Sequence, residues 1–99
     1  MQIHIQDNRL VITGNVKSIQ DSEEIKRALQ DIAKDHISIE LILLDSISLT
    51  SSVIGFLVKL AQKDRKNILL KVADNQLYDL LQDLNLYTIF PIEKIQNED

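Results

Sequence analysis

The spacing of the apolar residues changes along this chain, and this change constrains the fold more than any other feature of the sequence. Residues 3–6 alternate between apolar and polar side chains, and a second short apolar run covers residues 9–13 after Asp7 and Asn8. Alternation with period two is typical of strands, and Asp and Asn tolerate the left-handed conformations of a two-residue turn. The chain therefore begins with a predicted β-hairpin, which ends near Gly14.

The apolar period then lengthens to three and four residues between positions 21 and 33, which predicts a helix. Ser18 with Asp21, or Asp21 with Glu24, is the candidate pair of caps for its start. Residues 37–44 form a nearly continuous apolar run, which suits a strand covered on both faces. The remaining pattern predicts helices at 51–64 and 74–85, a strand at 68–72 and a short extended segment at 87–90.

Strands that alternate with helices predict parallel strands joined by right-handed crossovers. We therefore expect an α/β fold with a single mixed sheet of four to five strands, in which the N-terminal hairpin is the antiparallel part. Three or more helices should pack on this sheet. A length of 99 residues matches one domain, so residues 1–99 are predicted to form it, with a frayed tail at 96–99.

The composition argues against several classes of function. The chain has no cysteine, which excludes disulfides and thiolate metal sites. Its net charge is −4 with Lys and Arg spread along the chain, whereas a nucleic-acid-binding protein would carry a basic stripe. No apolar run reaches the length of a membrane span, and no signal-peptide pattern is present. A cytoplasmic protein without membrane insertion is the expectation.

Chemistry-bearing residues are sparse. His4 and His36 lie in different elements without further ligands at metal spacing, so a metal site is not expected. Asp45 follows a buried strand, a position at which open α/β sheets often carry functional carboxylates. We expect it instead to cap or bend the loop. The sequence contains no recognisable nucleophile–base pair and no glycine-rich phosphate loop. We therefore predict a chain without catalytic residues, metal or cofactor, and a nucleotide-binding enzyme is the weakest hypothesis.

The most informative segment is residues 45–57, DSISLTSSVIGFL, in which a polar loop leads to three hydroxyl residues at a helix start. Thr50, Ser51 and Ser52 have two possible roles. They can cap the helix, because hydroxyl oxygens accept hydrogen bonds from its free N–H groups. Alternatively, one hydroxyl is a phosphorylation site, since a helix N-terminus tolerates phosphate and the added charge would alter a contact surface.

A helical projection indicates what this second helix exposes. Its apolar residues cover an arc of about 200°, whereas a surface helix needs only about 100° to face its core. Either the helix is covered on two sides or part of the apolar arc contacts a partner. Ser52 should point outward. Gly55 either permits close approach by another chain or serves internal packing, because glycine otherwise weakens a helix.

The same segment resembles the signature loop of STAS domains, which in bacterial anti-sigma factor antagonists reads roughly Asp-Leu-Ser-x-Val-x-x-Met-Asp-Ser-Ser-Gly-Leu-Gly-x-Leu. Residues 11–16, VITGNV, resemble the family's strand that ends in Gly-Glu-Leu. Residues 80–92 resemble its closing segment, a leucine-rich helix followed by Phe-x-Ile. The resemblance covers nearly the whole chain and implies a STAS-like fold and a non-catalytic protein-interaction function.

In such antagonists the second serine of the Asp-Ser-Ser-Gly part of the motif is phosphorylated by an anti-sigma factor, a serine kinase with a histidine-kinase-like ATPase fold, and a phosphatase reverses the modification. The matching position is Ser52, with Ser51 and Thr50 as fallback acceptors. Phosphate there disrupts the complex with the kinase, and the unphosphorylated antagonist frees the sigma factor. The resemblance implies a partner-switching regulator of transcription or signalling whose predicted partner-binding residues are Thr50, Ser51, Ser52, Val53, Gly55, Phe56, Lys59 and Lys63.

Two positions depart from the family motif. Thr50 replaces an Asp, which removes a carboxylate beside the serines, and Val53 replaces a Gly, which stiffens the first helical turn. Both changes bear on phosphorylation more than on the fold. They make a second hypothesis credible, in which the chain resembles the STAS subunit of an Mla-type lipid-transport ABC system. Such a subunit binds the ATPase through the same helix without phosphorylation.

Overall fold

A single five-stranded sheet organises the chain in the computed structural model, which describes residues 1–95. The sheet order is β1-β2-β3-β4-β5, and three helices and one 3-10 turn connect the strands. The strands are β1 (Gln2–Gln6), β2 (Arg9–Thr13), β3 (Ser38–Leu43), β4 (Asn67–Val72) and β5 (Ile92–Lys94). The helices are α1 (Ile19–Asp35), α2 (Ser51–Gln62) and α3 (Asn75–Asp83). The predicted frayed tail at 96–99 lies outside the described residues.

The sheet is mixed, as the sequence predicts. β1 and β2 form an antiparallel hairpin, and β2, β3, β4 and β5 run parallel to one another. Asp7 in the connecting turn has a φ of 55°, a left-handed conformation that Asp tolerates better than most residues. The predicted α/β class, the single mixed sheet, the N-terminal hairpin and the helix number are therefore confirmed.

The core lies on one face of this sheet. Leu10, Leu41 and Leu70 are paired neighbours in β2, β3 and β4, and all three are completely buried. The buried side chains of all three helices belong to the same cluster. Residues that alternate with these, such as Glu40 and Ile42 in β3, remain partly exposed on the opposite face. The prediction that residues 37–44 are covered on both faces is therefore wrong, because the helices described in residues 1–95 pack on one side.

A capping box begins α1. The Ser18 Oγ accepts a hydrogen bond from the Asp21 N–H at 3.0 Å, and the Asp21 carboxylate accepts one from the Ser18 N–H at 3.3 Å. The first of the two predicted cap pairs is thus the one that forms. The helix begins at Ile19, two residues before the apolar period becomes visible, because the cap rather than the buried stripe sets its start.

The chain after α3 differs from the prediction of an extended segment at 87–90. Asn85 has a φ of 60°, which ends the helical path and leads into a 3-10 turn at Leu86–Thr88. The last strand follows Pro91, whose carbonyl oxygen accepts a hydrogen bond from the Leu70 N–H at 3.1 Å. Proline lacks an N–H donor but retains its carbonyl acceptor, so it can stand directly before an edge strand. The sequence pattern places this strand too early, at residues 87–90.

Candidate functional site

The loops that follow β2 and β3 are joined by three hydrogen bonds at one end of the sheet. The Gly14 N–H donates to Asp45 Oδ1 at 2.6 Å, and the Ser46 Oγ donates to the Gly14 carbonyl at 2.7 Å. The Ile47 N–H donates to Asn15 Oδ1 at 3.0 Å. Asp45 therefore has the loop-fixing role that the sequence favours. These bonds fix the two loops that lead into α1 and α2.

Thr50 is the N-cap of α2 and also connects this helix to α1. Its Oγ1 accepts a hydrogen bond from the Val53 N–H at 3.2 Å and lies 2.8 Å from the Ser22 Oγ. Ser22 is buried within α1, and its hydroxyl also donates to the Ser18 carbonyl at 3.3 Å. Of the three hydroxyls at the start of α2, that of Thr50 is the least accessible. The capping role therefore belongs to this residue and leaves the two serines free.

Ser51 and Ser52 are exposed in the first turn of α2. The Lys26 Nζ in α1 donates to the Ser52 Oγ at 2.9 Å and lies 3.1 Å from Glu23 Oε1. The prediction that Ser52 points outward is confirmed. The structure adds a cation that the sequence does not associate with this hydroxyl, and no acidic side chain lies in the first turn of α2.

An exposed stripe continues from Ser52 along one face of α2 and onto the residue that follows the helix. It consists of Ser52, Gly55, Lys59, Gln62 and Lys63, and we call it the α2 stripe. A Cβ atom added at Gly55 would have no neighbour within 4 Å among residues 1–95. The internal-packing explanation of Gly55 is therefore wrong, because the space beside its Cα is open solvent.

Val53 does not belong to the exposed surface. Its side chain is fully buried together with Leu57 and Leu60, on the face that packs on the core. The prediction that Val53 contacts a partner is therefore wrong, since residues four and seven positions further along share its face. Phe56 is half-buried, and Lys59 Nζ lies 5.4 Å from its ring centroid. Part of the wide apolar arc of α2 thus remains accessible beside the α2 stripe.

The structure places two apolar side chains at this end of the molecule that the sequence analysis missed. Ile19 in the first turn of α1 is 82% exposed, and Ile47 before α2 is 58% exposed. A cavity of about 200 Å³ between the two helix starts is lined by Ile19, Glu23, Ser51 and Ser52, among others. In the sequence, Ile19 stands apart from the stripe of α1 that begins at Ile25, which was the available signal of its exposure.

Asp21 lies in the first turn of α1, beside this site, and its pKa is perturbed. Hydrogen bonds from the Lys17 and Ser18 N–H groups lower the pKa of its carboxyl below the usual value, because both stabilise the carboxylate. Within residues 1–95, no three His, Asp or Glu side chains gather where they could hold a metal ion. None of the helices in that range combines the length and apolar character needed to cross a membrane.

Comparison with known proteins supports the fold. No protein-family model matches the chain, and no curated protein is significantly similar to it. Among solved structures, the chain is similar to the NMR structure of a protein designated TM1081, with a TM-score of 0.67 and 21% sequence identity. The match covers 93% of this chain and 78% of that one. It shows that the two chains share a compact α/β fold.

Proposed function

We propose that this chain is a non-catalytic, cytoplasmic partner-switching module of the STAS type that acts like an anti-sigma factor antagonist. The observation that carries this proposal is the exposed Ser52 at the start of α2, next to a helix face that begins with the bare backbone of Gly55. A hydroxyl in this position is accessible to a kinase, and a glycine lets another polypeptide approach the helix closely.

The charge around Ser52 supports a phosphate switch. The N-terminus of α2 carries a partial positive charge, and the Lys26 ammonium, which also pairs with Glu23, lies 2.9 Å from the hydroxyl. A phosphoserine would therefore be tolerated by the folded chain. The same phosphate would place almost two negative charges in the docking face. A partner that approaches Gly55 would then be repelled, or would bury this anion without a compensating charge.

The proposed partner is an anti-sigma factor or a related serine kinase with a histidine-kinase-like ATPase fold, and a phosphatase would reset the switch. It would contact the serines, the α2 stripe and Phe56, with Ile19 and Ile47 as added apolar contacts. Lys59 and Lys63 give this surface positive charge, which favours a partner with an acidic patch.

Incubation with ATP and such a kinase from the same genome, followed by tandem mass spectrometry, tests this proposal. We expect one phosphate on Ser52, its loss in Ser52→Ala, and its retention in the matched control Ser51→Ala. In a pull-down, the unphosphorylated chain should bind the kinase and the phosphorylated chain should not. Absence of phosphate from Thr50, Ser51 and Ser52 would contradict the switch.

A second candidate function is that of a STAS subunit which binds the ATPase of an Mla-type lipid-transport ABC system. Thr50 favours it, because this residue caps α2 where the antagonist motif has a carboxylate. This function uses the α2 stripe from Gly55 onward and needs no phosphate. Co-purification with an ABC ATPase, lost in Gly55→Leu but unchanged in Ser52→Ala, would support it over the first candidate.

A further inference from the structure

The edge strand β1 turns backbone groups outward that no other strand within residues 1–95 pairs. The Ile12 and Asn8 carbonyls accept hydrogen bonds from Leu44 and Glu40, at 3.1 and 3.0 Å, so these residues face β3. Backbone direction alternates along a strand, so Val11, which lies between them, faces β1 and pairs with His4. His4 consequently faces β2, and the N–H and C=O groups of Ile3 and Ile5 point away from the sheet.

The sequence of β1 is the same in both directions. It reads Gln-Ile-His-Ile-Gln, with His4 at its centre. If a second copy lies antiparallel around a two-fold axis through His4, every residue meets its own kind: Gln2 lies opposite Gln6, Ile3 opposite Ile5, and His4 opposite His4. In this register the outward backbone groups of Ile3 pair with those of Ile5, which gives reciprocal hydrogen bonds on both sides of the axis.

The two edges of the sheet differ in their protection against such pairing. Charged residues and proline on an edge strand discourage another strand from adding to it. The short strand β5 follows Pro91 and contains Glu93 and Lys94. In contrast, β1 contains no formally charged residue and no proline, and it pairs with β2 in unbroken register over residues 2–6. The chain protects one edge and leaves the self-complementary one open.

We propose that two copies of this chain associate through β1 in this antiparallel register, so that the two sheets form one continuous sheet of ten strands. The Ile3 and Ile5 side chains of both copies would then form one apolar cluster on the helix-covered face, which covers Ile5, 48% exposed in the single chain. In the sheet, β1 is an edge strand separated by two strands from β4, against which α2 packs. The proposed contact therefore leaves the α2 stripe of each copy accessible.

Sedimentation equilibrium of the full chain between about 10 µM and 1 mM tests the association. This range is needed because a contact between two five-residue strands is small and forms a weak dimer. We expect a monomer–dimer equilibrium. His4→Glu and His4→Lys each place two like charges opposite each other at the axis and should weaken it about fivefold. An equimolar mixture of the two variants should restore association, since the charges then attract. Thermal unfolding of each variant verifies that it is folded.

Amide hydrogen exchange identifies the surface. Protection of the Ile3 and Ile5 amides should rise with concentration, while that of His4, already bonded to β2, should change little. Glu93→Lys, on the other edge, is the control and should associate like the parent. A chain that stays monomeric at the highest concentration overturns the proposal. It is equally overturned if both His4 variants dimerise as the parent does, or if protection appears instead around the exposed Leu80 in α3 and Leu84 just after it.

Discussion

Gly55 is the residue at which the fold and the proposed function make opposite demands. Nothing lies within 4 Å of a Cβ atom added there, and the position lies inside a regular helix. Glycine in such a position costs about 0.5–1 kcal/mol relative to alanine. Because the fold gains nothing from this glycine, its presence agrees with a surface that another chain approaches closely.

Gly55→Ala should therefore raise the free energy of unfolding by about 0.5–1 kcal/mol, measured by urea denaturation. Binding of the proposed partner should weaken with Gly55→Ala and be abolished by Gly55→Leu. Gln76→Ala, at an exposed position of α3 outside the α2 stripe, is the control and should leave both quantities nearly unchanged. A Gly55→Leu variant that binds as tightly as the parent would show that no partner approaches this position.

Lys26 and Ser52 form a pair whose energetic coupling can be measured. Ser52→Asp places a negative charge at an N-terminus without acidic residues, so it should stabilise the chain by about 0.3–1 kcal/mol. In a Lys26→Met background this gain should fall by about 0.5 kcal/mol, because the cation beside the hydroxyl is lost. Urea denaturation of the four chains closes the double-mutant cycle.

Ser51→Asp is the matched control for this cycle. It introduces the same charge one residue earlier, where the structure shows no hydrogen bond to Lys26 within residues 1–95. Its effect should be independent of the residue at position 26. Equal coupling of Lys26 with both aspartates would mean that only the general field of the helix start acts there.

The outward direction of Ser52 could be predicted from sequence because it follows from helical periodicity alone. The Lys26 contact could not, because it joins residues 26 positions apart and depends on how α1 packs beside α2. Val53 was assigned to the partner surface by the family resemblance. The projection could not correct this, because it gives the width of the apolar arc but not which part of it faces the core. Periodicity therefore predicts faces, and packing decides which face is buried.

At the scale of elements, the start of α1 depends on the charge of Asp21. Its carboxylate accepts hydrogen bonds from the Lys17 and Ser18 N–H groups at 3.0 and 3.3 Å, which keeps its pKa below the ordinary value of an aspartate. A carboxyl whose pKa is lower in the folded state stabilises the fold above its unfolded pKa, and this contribution is lost as the pH falls through the folded value.

Asp21→Asn should therefore destabilise the chain near neutral pH, and its difference from the parent should shrink as the pH falls below about 4. Urea denaturation at a series of pH values measures this. Ser18→Ala removes the hydroxyl of the same capping box and should cost about 1 kcal/mol, with much less dependence on pH. A constant difference between parent and Asp21→Asn across the series would contradict the assignment.

The order of elements was predictable because each period change in the sequence is long enough to identify a strand or a helix. The closing segment was not, because it is governed by single residues. Asn85 adopts a left-handed conformation, and Pro91 contributes only its carbonyl to the sheet. Neither effect produces a period, so a short apolar run at 87–90 resembles a strand although the strand begins after Pro91.

At the scale of the whole molecule, one carboxylate lies between two cations on the face of the sheet that points away from the helices. Glu40 in β3 lies 3.0 Å from Arg9 Nε in β2 and 3.4 Å from Lys71 Nζ in β4, so it connects three strands. Its side chain is only 15% exposed, whereas those of Arg9 and Lys71 are 57% and 30% exposed. The two cations therefore keep much of their hydration, whereas the more deeply buried carboxylate depends on them for its stabilisation.

Glu40→Gln should therefore lower the free energy of unfolding by about 1–2 kcal/mol, because it leaves two neighbouring cations without their shared anion. Arg9→Gln should cost less than about 1 kcal/mol, since this exposed partner is solvated in any case. Salt at about 1 M should reduce both losses by screening the charges. Glu24→Gln removes the same charge from an exposed position on α1 and controls for the change in net charge. If Glu40→Gln is as stable as the parent at low salt, the cost of burying this carboxylate equals its gain from the two cations, and the three strands are held by their backbone hydrogen bonds and by apolar packing on the other face.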